Sequence, residues 1–599
     1  MTVGSRVLFL VLAALPSAFA AVPPVPVPYQ VPCALPDQIS AVEPTQVQLH
    51  GWLGERIDAN IGRRLEVVDT VPLLAGYHHK PGEQAWIGEH VGKWLHAATF
   101  AWAYTGDPDL RRKLDAVAAE LISTQEPDGY LGTYLPGQRF GLYPGADWDV
   151  WNHAYNMIGL TTYYRYSGNT AALAAVRRIA DLLIATFPGQ KSIVAAGTHR
   201  GMAATSVLEP VVELYRLTAE PRYLAFARYI VAAYDEPGGP GIVRALLANG
   251  EVNKTANGKA YEMLANLMGV CDLARVTGDR SLLRAVTNAW TDIVRNRLYI
   301  TGTASLHEHF GGDADLPNGV DAQLGETCVT TTWIQLNLQL LQVTGRPAYA
   351  DEIDRSLYNH LAAAQNPRGD DWCYYTALEG KKQYDRGITC CHSSGPRAFA
   401  LAPTAAYLQG GSTLCVSTFE SSQARFEVGG QSVGIEQSSG FPRDGRSTLV
   451  VHAAQPATFS LRIRVPPWAA PLRIGNESFA AGWAEVPARQ WRDGERLDFS
   501  YELAGRSIAG SHGDLGRTAY AWGPFILAVD SRRNAPLGSL AELRLAPNPP
   551  RLKSSRSGPL LLELPAGSTG PASRAITLVP FADAGADGGE YRVWLRTDS

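Results

Sequence analysis

Before Pro403 the chain repeats one piece of punctuation five times: an aromatic or aliphatic residue, then Thr or Ser, then usually Gly. It occurs at Tyr104-Thr105-Gly106, Tyr166-Ser167-Gly168, Leu217-Thr218-Ala219, Val276-Thr277-Gly278 and Val343-Thr344-Gly345. Glycine is the residue that most often ends a helix in the left-handed conformation, so a recurrent stop of this kind predicts stacked helix–turn–helix units. Upstream of each stop, residues 91–104, 153–166, 205–217, 260–276 and 330–343 are apolar or small on several faces, which suits burial. Downstream, the pattern is amphipathic. Leu110, Leu114, Val117, Ala118 and Leu121 recur at helical spacing among Arg111, Arg112, Lys113, Asp115 and Glu120. Inner and outer helices therefore alternate. A sixth inner helix over 397–408, backed by an outer helix over 56–68 from the start of the domain, closes a ring. The leading architecture is an (α/α)6 barrel; an open α-solenoid uses the same unit without closing.

From about Ser412 the pattern changes to short alternating strands at 414–418, 447–452, 458–465, 496–501, 519–529 and 591–595, separated by Pro, Gly, Asn and Asp. This is β-sandwich material. The expected organisation is a barrel over 37–408 followed by sandwiches over 409–510 and 511–599, which either bind glycan or form a homodimer. Residues 1–20 read as an export signal: Arg6, the apolar stretch 7–15, then Ala18-Phe19-Ala20 as a cleavage site. The Pro-rich residues 21–36 read as a linker, and the expected location is the periplasm or the cell exterior. The apolar stretch is shorter than the roughly 20 residues of a membrane span. With 53 Lys plus Arg against 57 Asp plus Glu, the chain offers no basic surface for nucleic acid, and small or uncharged partners fit better.

Seven cysteines at irregular spacings are no disulfide framework, yet four fall between Cys328 and Cys391 and two are adjacent. In a barrel of this kind the loops leading into the inner helices gather at one end, where helix N-termini concentrate unpaired N–H groups and positive dipole ends. At those positions stand His153, Lys259, Glu308, Glu326-Thr327-Cys328 and Cys390-Cys391-His392. Glu326, Cys328, Cys390 and Cys391 make one carboxylate and three thiols, a ligand set that Zn²⁺ accepts. The alternatives are buried thiols, or a bridge from Cys390 or Cys391 to Cys373 or Cys415. A metal-bound thiolate near helix N-termini is a nucleophile in need of an acid; Glu308, in His307-Glu308-His309-Phe310, is the candidate. Trp86, Trp94, Tyr143, Trp148 and Trp151 are core residues or a sugar-binding rim.

At Glu89-His90-Val91-Gly92-Lys93-Trp94-Leu95, Gln125-Glu126-Pro127-Asp128-Gly129-Tyr130, Asp315-Leu316-Pro317-Asn318, Glu326-Thr327-Cys328, Cys390-Cys391 and Ala584-Gly585-Ala586-Asp587-Gly588-Gly589 the sequence resembles glycoside hydrolase family 127, formerly DUF1680, whose characterised members include β-L-arabinofuranosidases. The resemblance implies a carbohydrate substrate, zinc on Glu326, Cys328, Cys390 and Cys391, Cys390 as nucleophile and Glu308 as general acid/base. It also implies substrate contacts from His153, Lys259, His309 and Asp354. There are departures: Lys259 stands where relatives often have histidine, and residues 201–206 lack a histidine expected near Ala204. They leave open an acidic pectic sugar with the same mechanism. A polysaccharide lyase, or a non-catalytic carbohydrate-binding protein with structural zinc, are the readings from other classes.

Overall fold

The computed structural model describes residues 24–385, 387–535, 539–545, 548–553, 558–564 and 575–597. The export signal expected over 1–20 lies outside the described residues. The repeated stop works through local chemistry. At each turn the Thr or Ser hydroxyl donates to the carbonyl four residues back, 2.9 Å at Thr105, 2.6 Å at Ser167, 2.8 Å at Thr218, 2.7 Å at Thr277 and 2.6 Å at Thr344. The same oxygen accepts from the N–H two residues on, which turns the chain out of the helix. The next residue is left-handed: Gly106, Gly168, Gly278 and Gly345 at φ 71, 70, 80 and 67, and Ala219 at φ 56. Asp107, Asn169 and Asp279 then cap the following helix, each cap worth about 1 kcal/mol.

Six inner helices result: Glu89–Thr105, Asp149–Ser167, Leu208–Thr218, Ala260–Thr277, Thr327–Thr344 and Cys390–Ala406. Each packs on the next, and the sixth packs on the first, so the ring is closed and is not a solenoid. Their outer partners are Pro108–Ser123, Thr170–Thr186, Pro221–Ala233, Arg280–Asp292 and Pro347–Arg355, with Trp52–Asn60 behind the sixth. The first and second inner helices touch backbone to backbone where Gly92 meets Gly159; a Cβ on either would run into the other helix's main chain.

Two assignments change. The Pro-rich segment is a strap, not a linker. It crosses the closed end of the barrel, and its N–H groups at Val27, Gln30, Val31, Leu35 and Gln38 donate to the carbonyls of Arg165, Arg216, Arg275 and Gln342. Those acceptors occupy the same position in four successive inner helices, three residues before the left-handed stop, where a helix leaves carbonyls unpaired. Tyr29 lies between the guanidinium groups of Arg165 and Arg216, 4.5 and 3.7 Å from its ring, and donates 3.0 Å to Glu213. Asp37 takes Arg275 with both oxygens at 2.9 Å.

The second change concerns residues 40–49, expected in the barrel. Ser40–Ala41 pairs with Tyr407–Gly410 in a five-stranded sheet, and Val47–Leu49 with Ser422–Val428 in a seven-stranded one, so the N-terminal segment contributes an edge to both sheets of the sandwich. Among the described residues beyond Tyr501, the nine strands from Gly505–Ala509 to Leu595–Thr597 form, with Glu379–Gly380 from the barrel domain as the tenth, one ten-stranded sheet rather than a second two-sheet sandwich. Among the described residues no helix is long and apolar enough to cross a membrane.

Candidate active site

Glu326 is the residue before the fifth inner helix and Cys328 lies in its first turn; Cys390 and Cys391 open the sixth. Adjacent helix N-termini therefore aim their positive ends at one carboxylate and three sulfurs. Gly325, at φ 70, makes the tight approach: a Cβ there would fall on the His360 ring. The four donor atoms lie within 4.8 Å of one another. Cys328 and Cys391 sulfurs are 3.6 Å apart, Cys390 and Cys391 3.8 Å, and Cys390 Sγ is 3.9 Å from Glu326 Oε1. No disulfide joins any of the seven cysteines, so neither Cys373 nor Cys415 bridges to the pair. Glu326 Oε2 is buried with no hydrogen-bond partner among the described residues. Such a group can hold a metal ion. Within it, hydrogen bonds from the Cys328 and Cys391 thiols hold Cys390 well below the usual thiol pKa, while burial pushes Cys328 and Cys391 up.

Cys390 opens onto a cavity of about 290 Å³ whose wall includes Glu308, Glu326, Lys259, Glu262, Glu89, Tyr374 and the rings of Trp86, Trp148 and Trp151. Glu308 is carried on a loop with left-handed backbone, φ 47 at His307 and 62 at Glu308. Its Oε2 accepts from Lys259 Nζ, and its Oε1 from Tyr374 Oη at 2.9 Å and Tyr375 Oη at 2.5 Å. Burial pushes the Glu308 carboxyl up, but the charge and hydrogen bond of Lys259 and the two hydroxyls outweigh it and hold the group below the usual carboxylate range. Beneath Cys390, Lys93 lies 2.8 Å from Glu89 and over the rings of Tyr155 and Tyr261, at 4.6 and 5.1 Å. Glu89 also accepts from Trp151 Nε1, which fixes that wall.

Three expected substrate contacts are not in the cavity wall. His153 is fully buried, with Nδ1 donating 2.8 Å to the Asp149 carbonyl and Nε2 accepting 3.2 Å from the Leu131 N–H, so both ring nitrogens serve the backbone. Asp354 sits at the junction with the sandwich, where the buried Arg464 binds it together with Asp351. His309 holds its own loop, Nδ1 donating 2.7 Å to the His307 carbonyl while its backbone pairs with Lys259 and Leu306. His199, five residues before Ala204, is edge-on to Trp148 with ring centroids 5.7 Å apart, and its Nδ1 is 3.1 Å from Asn257 Nδ2. Its left-handed backbone, φ 55, marks a constrained loop that helical periodicity does not reveal.

Residues 42–404 match the description "Beta-L-arabinofuranosidase, GH127 catalytic domain", and 413–503 the GH127 middle domain. The chain belongs to glycoside hydrolase family 127. A non-reducing end β-L-arabinofuranosidase of Bifidobacterium longum subsp. longum is 26% identical over 521 residues, covering 76% of this chain and 77% of its own. Among solved structures, a GH127 β-L-arabinofuranosidase from Geobacillus stearothermophilus T6 superposes with a TM-score of 0.77 at 22% identity, over 92% of this chain and all of that one. Another GH127 β-arabinofuranosidase gives 0.79 at 21% identity, over 94% and 98%. As a family 127 member the protein is a glycoside hydrolase, so the lyase and non-catalytic readings fall away.

Proposed function

We propose that this glycoside hydrolase releases L-arabinofuranose from β-L-arabinofuranosides of plant-type glycans, with retention of configuration, through Cys390 in a zinc site. The observation that carries the reading is the meeting of the Glu326, Cys328, Cys390 and Cys391 donors with Glu308 around one small cavity. Zinc bonded to sulfur at about 2.3 Å in a tetrahedron holds sulfurs about 3.8 Å apart, close to the 3.6 and 3.8 Å found here. Bound zinc would keep the Cys390 sulfur ionised at neutral pH without a basic side chain. Export is part of the proposal and rests on Arg6, the apolar stretch 7–15 and Ala18-Phe19-Ala20.

In the first step Cys390 Sγ attacks the anomeric carbon, the carbon–oxygen bond to the leaving group breaks, and Glu308 gives its proton to that oxygen. In the second, the Glu308 carboxylate takes a proton from water, the water oxygen attacks the anomeric carbon, and the carbon–sulfur bond breaks. Two inversions give net retention, with sulfur in place of the second carboxylate of the usual pair. An acidic sugar fits less well: Lys259 is already bound to Glu308, and Glu89, Glu262 and Glu326 share the wall.

The test is turnover of 4-nitrophenyl β-L-arabinofuranoside by the zinc-loaded protein beside Glu308→Gln. Nitrophenolate leaves without a proton, so the variant should release about one nitrophenol per chain in a burst and then stall, since water lacks its base. An inert parent carrying one zinc per chain would remove the arabinose assignment.

The Lys259 contact adds a pH prediction. Glu308 works as an acid only when protonated, and kcat/KM reports the free enzyme. Because Glu308 is held below the usual carboxylate range, kcat/KM on a poor leaving group should begin to fall with rising pH at an acidic value. Lys259→Met removes the largest influence that lowers the carboxyl and leaves burial against the two tyrosine hydroxyls, so this limb should move to higher pH. An unmoved limb would separate Glu308 from the titration.

A further inference from the structure

Glu262 follows Lys259 by three residues on the fourth inner helix and lines the cavity with it. Its side chain is 2% exposed. Oε2 has no hydrogen-bond partner among the described residues. Oε1 stands 3.9 Å from Lys259 Nζ and 4.0 Å from His199 Nε2, each too long for a hydrogen bond. Every other carboxylate of the wall has its work. Glu308 has three donors, Glu89 has Lys93 and Trp151, and Glu326 belongs to the metal-ligand group. A buried acceptor without a donor costs about 1–3 kcal/mol, more when charged, and the cavity beside it is the route by which donors arrive.

We infer that Glu262 is a glycone-binding residue, whose carboxylate accepts hydrogen bonds from a sugar hydroxyl and, with Glu89, selects an uncharged, hydroxyl-bearing sugar over an acidic one. This rests on the cavity being the sugar site proposed above. A hydroxyl is the matching chemistry because it donates without bringing charge, whereas a sugar carboxylate would meet the carboxylates of the wall, with Lys259 already engaged by Glu308 and Lys93 by Glu89. His199 does not offset them: burial first, then the charge of Lys259, lowers its pKa to about 4, so it is neutral at neutral pH.

The experiment compares the parent, Glu262→Gln and Glu262→Ala, all zinc-loaded, on 4-nitrophenyl β-L-arabinofuranoside and its 2-, 3- and 5-deoxy analogues, with metal content and thermal unfolding recorded for each. Glu262→Ala should lower kcat/KM by about 100-fold on the full sugar, as expected for a buried hydrogen bond to a charged group that strengthens in the transition state. One deoxy analogue should show a similar loss with the parent, and that analogue alone should lose little more in the variant. A uniform loss across all four substrates, or a loss under threefold in a folded, zinc-loaded variant, overturns the inference. If the parent is inert on arabinofuranosides, the glycone assignment falls by itself. Glu262 is then read by calorimetric binding of neutral pentoses and of uronic acids: preference for neutral sugars, weakened in Glu262→Gln, supports it, and tighter uronate binding by the parent or equal affinities in the variant overturns it.

Discussion

Cys390→Ser is expected to lower kcat/KM by roughly 10⁴-fold or more, a loss of the order seen when a covalent nucleophile is removed, in a protein that still folds. Cys390 is the thiol of the three that reaches the cavity wall; Cys328 and Cys391 are both fully buried. Serine keeps the shape and a weak oxygen donor but is neither ionised at neutral pH nor as nucleophilic as a thiolate. The informative partner is Cys391→Ser, which removes a ligand and leaves the attacking sulfur. Its zinc affinity should fall, and part of its activity should return as zinc is added, whereas Cys390→Ser should stay inactive at any zinc concentration. Stoichiometric metal analysis beside steady-state kinetics reads both. More than 1% residual activity in zinc-loaded Cys390→Ser would transfer the nucleophile to another group.

Removal of residues 1–38 is expected to leave a barrel that does not fold to a soluble state, although nothing in the cavity is touched. The strap satisfies carbonyls at the ends of four inner helices, and its loss exposes them together with the Arg165, Arg216 and Arg275 side chains that it covers. A milder version avoids the all-or-none outcome. Asp37→Ala takes one of two carboxylates from Arg275, whose side chain is 9% exposed, leaving Asp272 at 2.9 Å. Because Arg275 keeps Asp272, the loss is that of charge-assisted hydrogen bonds, about 2 kcal/mol, which should appear as a lower urea midpoint for the barrel with kcat/KM unchanged in native buffer. A truncated protein with the parent's unfolding curve would reduce the strap to a passive tether.

Local chemistry made part of this protein legible from its sequence. The Thr/Ser-Gly stops are read by groups no more than four residues away, so the inner and outer helices and their alternation follow from sequence. The Cys390-Cys391 pair and Glu326-Thr327-Cys328 draw attention as adjacent and clustered reactive residues, but their spacing left buried thiols or a bridge open, and it was the family resemblance that made them a metal-ligand set. The helix count then limits the architecture to a ring or a solenoid, and places the ligands at one end.

The rest depended on partners remote in the chain. A Pro-rich segment has no periodicity to betray that its N–H groups meet carbonyls at 165, 216, 275 and 342, because those carbonyls line up only once the ring has closed. Residues 40–49 look like the start of the barrel, and become strands because sheet edges made by residues 407–410 and 422–428 lie within reach. His153 and Asp354 have the right chemistry for a sugar contact, but the Leu131 N–H and Arg464 occupy them first. Glu262, inferred above to meet the sugar, is marked by nothing near it in sequence; only the packed cavity leaves its Oε2 without a donor. Sequence alone determined the elements and the reactive residue types, since both are set by short-range bonding. Which polar groups remained free to meet a substrate was decided by tertiary packing, because a hydrogen-bonding group is available only after every competitor around it has been placed.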